Sequence, residues 1–165
     1  MASVAWKSAR RMRWLGGRLI FISYRRNDCA DVTGRIHDRL VQRFGERRII
    51  KDVASIPLGV DFRDYIEKVV PACSVLLSII GPGWLDGPSE EGAPPLADPQ
   101  DMVRLELISA FESDIRVIPV LVGGARMPSP QVLPERLRKL AYRHGMEVRG
   151  DPDFHRDVDR LISDL

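Results

Sequence analysis

The stretch DMVRLELISAFESD, Asp101 to Asp114, holds an acid in an unusual place. With successive side chains roughly 100° apart on a helix, Val103, Leu107, Ala110 and Phe111 share one apolar stripe. Glu106 falls about a quarter-turn from the centre of that stripe, with Met102, Leu105 and Ser109 beyond it. A carboxylate on a solvated helix face commonly meets a cation three or four residues away. Here those positions are Met102, Val103, Ser109 and Ala110, so Glu106 has no such ion pair. Apolar flanks and the lack of a cation at that helical spacing mark it as the candidate working group of a site, rather than a surface charge. Arg25 and Arg26 are suited to gripping phosphate, because a guanidinium presents a planar fork of donors to an oxyanion. The competing assignment is ion pairing with Asp28, Asp52 or Asp101.

These residues need a scaffold, and the apolar pattern supplies one. LIFISY (19–24) is short, β-branched and apolar on both faces, as a buried parallel strand is. The following stretch reads as a helix, with Asp28 as N-cap, Val32, Ile36, Leu40 and Phe44 at helical spacing, and Gly45 as its stop. RRIIKD (47–52) is a second strand, VASIPLG (53–59) a loop, and VDFRDYIEKVV (60–70) a helix stopped by Pro71. CSVLLSII (73–80) is the most hydrophobic strand and belongs at the centre. Residues 81–100 are rich in Gly and Pro and form a long connection, which often carries function. The helix of Glu106 then starts over DPQD, with Asp98 as N-cap and Pro99 at the first helical position. IRVIPVLV (115–122) is a strand in which Pro119 implies a bulge or an edge. ERLRKLAY is a short helix, MEVR (146–149) a weak last strand, and 153–165 a closing helix facing inward with Phe154, Val158, Leu161 and Ile162.

Five strands alternating with helices predict an α/β fold, a flavodoxin-like doubly wound sandwich of parallel strands in the order 2-1-3-4-5. Ligands in such folds sit beyond the carboxyl ends of the strands. That edge gathers SYRR, the 53–59 loop, GPGW and the start of the Glu106 helix. Tyr24 is placed to line the cleft or to be buried. Trp84 is placed to stack on a ligand's aromatic ring or to anchor a lid in the core.

The 165 residues suit one domain with a single core. Five of the 25 Lys and Arg, and none of the 23 acids, fall within residues 1–18, so that segment reads as a basic, disordered lead-in and 19–165 as the domain. The remainder is mildly acidic, which argues against direct nucleic-acid binding. No apolar run is long enough for a transmembrane span. Two cysteines and three histidines show no metal-ligand spacing, and a reducing cytoplasm is the expected compartment.

The motifs FISYRR, KDVASIPLG, GPGWL, DMVRLEL, RVIPVLV and LP (133–134), in this order, resemble those of a TIR (Toll/interleukin-1 receptor) domain over residues 19–165. FISYRR and DPxDxVRxE resemble the bacterial enzymatic type, or the metazoan TIR enzyme of axon degeneration, more than receptor-tail adaptors. The resemblance implies cleavage of the nicotinamide–ribose bond of NAD⁺, with Glu106 in VRLE as the catalytic carboxylate and no cofactor beyond NAD⁺ as substrate. A carboxylate alone fits that chemistry. Nicotinamide leaves neutral, and the group to be stabilised is an oxocarbenium-like ribose. Water capture gives ADP-ribose, and capture by the adenine of the same molecule gives a cyclic product. Tyr24, Arg25, Arg26, Trp84 and Met102 are the expected substrate-binding residues. Met102 stands where enzymatic relatives often carry an aromatic, and a thioether contacts a ring face less rigidly.

The same resemblance makes Ile56, Pro57, Leu58 and Gly59 an assembly loop docking against a second copy, since exposed apolar clusters tend to mark contacts; the competing placement folds the loop back onto its own sheet. It implies activation by homo-oligomerisation, a separate or fused sensor module, and a role in bacterial antiphage defence or signalling. The alternative is a non-catalytic scaffold acting through homotypic TIR–TIR contacts. A nucleoside deoxyribosyltransferase-like enzyme is disfavoured by the Ile56-Pro57 loop and the RVIPVLV strand. A phosphoacceptor receiver is disfavoured because Arg25 and Arg26 replace its paired acids.

Overall fold

The computed structural model describes residues 18–51, 56, 58–86 and 94–165. Residues 1–17, Asp52, Pro57 and the Ser89–Glu91 charge cluster lie outside the described residues. Five parallel strands run β1 (Ile20–Ser23), β2 (Ile49–Lys51), β3 (Val75–Ile80), β4 (Arg116–Val122) and β5 (Met146–Val148), in the order β2-β1-β3-β4-β5. The most apolar strand, β3, is central, as its composition requires.

Strand alternation divides the core into two layers. Leu19, Phe21, Leu76, Ile80 and Val117 face α2 (Phe62–Val69), α3 (Met102–Glu112) and a run of 3-10 turns over Glu135–Tyr142. Ile20, Ile22, Val75, Leu77, Ile79 and Val120 face α1 (Arg26–Phe44) and α4 (Phe154–Ser163). With both faces covered, the strands read as continuous apolar runs.

Several boundaries differ from the sequence expectation. Asp28 does not cap α1; Arg25 holds the N-cap position without a side-chain capping bond, and Cys29 (φ −143°, ψ 32°) breaks the first turn from the rest. The Asp28 carboxylate is engaged elsewhere, as described below. The N-cap of α3 is Asp101, not Asp98, its side chain accepting from the Arg104 amide at 2.9 Å. Asp98 instead accepts from the Gln100 amide at 2.7 Å, closing a turn that includes Pro99 before the helix begins. Pro119 causes no bulge: its strand stays in register with β3, Ser78 opposite Pro119, and β5 pairs only from Val120 onward. The missing donor therefore falls where the β5 side of β4 is still unpaired.

Candidate active site

The site forms where the strand order reverses, between β1 and β3, at their carboxyl ends. Tyr24 and Arg25 follow β1 directly, and the Gly81–Asp86 turn follows β3. The first turn of α3 supplies the third wall. Together they enclose a cavity of about 380 Å³ lined by Tyr24, Arg25, Arg26, Asp28, Asp101 and Met102 among others. Four of the five expected substrate-binding residues are thus brought to one cleft.

Glu106 is 4% exposed, so the expectation that it faces the cleft without being buried is corrected. The reason lies in the packing of α3, which meets α2, the 70–72 and 135–142 turns, β4 and β1. Every residue from Glu106 to Ala110 is buried, and an acid a quarter-turn off the apolar stripe is still inside. Met102 and Val103, which line the cavity, precede it by four and three residues on the same helix face. The acid therefore sits one turn deeper than the cleft wall.

For Trp84 the structure takes the core-anchor placement, and its assignment to substrate binding is corrected. Its ring is 1% exposed within the layer that holds α3, so it anchors the Gly81–Asp86 turn and is not open for stacking on a ligand. Ser23 and Ser78 lie opposite one another on β1 and β3, with side chains on that same sheet face. Both are buried, and neither hydroxyl has a hydrogen-bond partner among the described residues. They form a polar strip in a sheet face otherwise packed by apolar side chains.

Of the three carboxylates considered as partners for Arg25, the structure selects Asp101. Nη1 and Nη2 donate to its two oxygens at 2.8 and 3.1 Å, while Nε donates to the Trp84 carbonyl at 2.6 Å. The guanidinium also lies 5.9 Å from the centre of the Trp84 ring, within cation–π reach. Arg26 is exposed and borders this cavity and a second one. That second cleft, about 500 Å³, runs between the first turn of α1 and the ends of β4 and β5.

Asp28 borders both clefts. Its Oδ1 accepts from the Gly83 amide at 2.7 Å, docking α1 onto the turn after β3. A Cβ on Gly81 would stand 2.3 Å from Oδ2, so this glycine is required for the carboxylate to seat. Sequence reasoning missed this role, although GPG beside an acid at the strand edge was visible. Burial raises the Cys29 thiol above its ordinary range and pushes that of Cys73 up to about 12. Among the described residues no group of three or more His, Cys, Asp or Glu could hold a metal ion, and no helix is long and apolar enough to cross a membrane.

In the 53–59 loop, Leu58 stands fully exposed at 103%, and Gly59 takes a positive φ of 81° that turns the chain beside it. Ile56 is partly buried.

With this geometry in place, comparison with known proteins identifies the class. The family model for the TIR domain matches residues 20–162, and the chain belongs to that family. The fold is similar to that of the TIR domains in the activated Roq1 resistosome directly recognising the pathogen effector XopQ. That match has a TM-score of 0.64 and 12% identity, and covers 90% of this chain and 99% of that one.

Proposed function

We propose that this TIR domain is an NAD⁺ glycohydrolase whose catalytic carboxylate is Glu106. The observation that carries the reading is a buried acid set one helical turn behind a cleft wall at the topological switch point. In the reaction the C1′–N bond breaks heterolytically, and its electron pair leaves with nicotinamide, whose cationic ring nitrogen becomes neutral. The Glu106 carboxylate stabilises the positive charge left on the ribose, and does so more strongly in a desolvated setting than in water. Water then bonds to C1′ and releases its proton to solvent, giving ADP-ribose; adenine nitrogen as the captor gives a cyclic product. Tyr24, Arg26 and Met102 line the path of the dinucleotide.

Self-assembly is part of the proposal. A cavity of about 380 Å³ is at the small end of ligand sites, and a second copy docked through Leu58 would add wall. The resistosome named in the structural match is an assembly of the same fold, which supports association here, with a sensor module as trigger and a role in defence or signalling within the cytoplasm. The scaffold reading draws on the exposure of Leu58 alone, which serves recruitment equally well.

Nicotinamide release from NAD⁺, followed for the protein at high concentration or with crowding agents, separates the two. Release that vanishes in Glu106→Gln supports the glycohydrolase. Its absence under every assembling condition establishes the scaffold, and release that survives Glu106→Gln moves the site elsewhere.

A further inference from the structure

We infer that Arg25 acts as a positioning residue that fixes the helix of Glu106, and not as a contact for the substrate's diphosphate. This deepens the glycohydrolase reading and rests on it for its kinetic consequence. Arg25 ties three walls of the cleft together. Its backbone leaves β1, its Nε holds the Trp84 carbonyl in the turn after β3, and its two terminal nitrogens hold both oxygens of Asp101. Asp101 in turn caps α3 through the Arg104 amide, and its carbonyl accepts from the Leu105 amide at 3.0 Å. Arg104 reinforces the same helix start by donating to the Leu96 and Ala97 carbonyls, both at 2.9 Å.

A guanidinium has five donors, and a bidentate pair with one carboxylate plus a third bond through Nε uses the fork in its fixed geometry. Gripping a diphosphate with that fork would break the bonds to Asp101 and leave its carboxylate, 12% exposed, without its ion partner. The arrangement is therefore set for holding. Glu106 lies five residues beyond the cap, about 7 Å along the helix axis, so a loosened first turn displaces the carboxylate relative to the cleft. Reaction geometry is sensitive to shifts of about 1 Å.

The test uses the full chain with Arg25→Lys, Asp101→Asn and the two combined. Lysine keeps the charge but cannot form the fork together with the third bond. Asparagine keeps an oxygen for the Arg104 amide and removes the charge, isolating the ion pair from the cap. Two readouts are taken: hydrogen exchange of the Arg104, Leu105 and Glu106 amides, and kcat and KM for nicotinamide release from NAD⁺ by assembled protein. We expect each single variant to speed exchange at these amides by about tenfold and the double variant to add little, since partners in one network are coupled. kcat falls by about tenfold while KM stays within about twofold, the pattern of lost geometry with retained binding. A rise in KM with unchanged exchange overturns the inference and makes Arg25 a substrate contact, as does unchanged exchange with unchanged kinetics, which leaves the pair without a positioning role. If wild-type protein releases no nicotinamide, the glycohydrolase reading fails, whereas the exchange measurement still decides whether Arg25 and Asp101 hold the helix.

Discussion

The seat of Asp28 on the turn after β3 can be challenged by adding one methyl group. In Gly81→Ala the new Cβ stands 2.3 Å from Asp28 Oδ2 and 2.7 Å from Cγ and Oδ1, closer than nonbonded atoms approach. Gly81 and its neighbours are held by the Trp84 amide donating to the Gly81 carbonyl and by the buried indole, so the turn has little room to retreat. Asp28 must rotate away, losing its 2.7 Å bond from the Gly83 amide. A hydrogen bond to a charged acceptor contributes about 1.5–3 kcal/mol, and overpacking a dense interior costs about 1–3 kcal/mol. The combined loss of about 2.5–6 kcal/mol is a large part of the 5–15 kcal/mol typical of a domain, and corresponds to a fall in Tm of roughly 5–20 °C. Urea denaturation and thermal melting measure it. In the Asp28→Ala background the obstructing atoms are gone, so Gly81→Ala should then cost at least about 1 kcal/mol less than it does alone. Wild-type-like stability of Gly81→Ala, or strict additivity of the two changes, would refute the steric account.

Glu106→Gln tests the electrostatic magnitude: at about 4 Å and an effective dielectric near 20, a carboxylate stabilises a unit positive charge by about 4 kcal/mol, or roughly 10³-fold in kcat. In a water-like setting the same charge is worth only about 1 kcal/mol, so a loss under tenfold with intact folding would show that the acid does not face the ribose. Leu58→Lys should leave Tm within about 1 °C, because a fully exposed side chain has no packing to lose, while raising the protein concentration needed for nicotinamide release; equal concentration dependence would remove this loop from the assembly. Asp157 provides a test in acid. Hydrogen bonds from the Arg149 side chain hold its carboxyl at about 2, below the usual carboxylate range. Its contribution to stability is present above about pH 4 and lost as pH falls through about 2. Asp157→Asn should therefore lower Tm at neutral pH and flatten the curve across that interval; parallel curves would show the pair to be idle.

The fold was legible because each layer rests on a repeating signal. β1 and β3 are apolar on both faces and were read as buried parallel strands for that reason, and Gly45 ends α1 as expected, with φ 88°. Errors gathered where a short polar side chain had two possible uses. Asp28 and Asp98 both have the composition and position of N-caps, yet one accepts from an amide 55 residues away and the other closes a local turn. Local spacing cannot separate these outcomes, because tertiary approach decides them. For the site, residue type drew attention to the arginines, which the fold brings to the cleft, and Asp101 stood among three candidate partners of Arg25. The burial of Glu106 was not legible, since helical periodicity describes one covered face whereas α3 is enclosed on several, while for Trp84 the structure takes the core-anchor placement over the stacking one.

The two outermost strands, β2 and β5, span three residues each, and β4 carries Pro119 where β5 has not yet begun to pair. Short borders and a missing amide offer a poor template for main-chain addition. In the proposed self-assembly, copies would therefore be joined through side chains rather than by extending the ladder into a continuous ribbon, and such contacts can be tuned or released one residue at a time without unravelling the sheet.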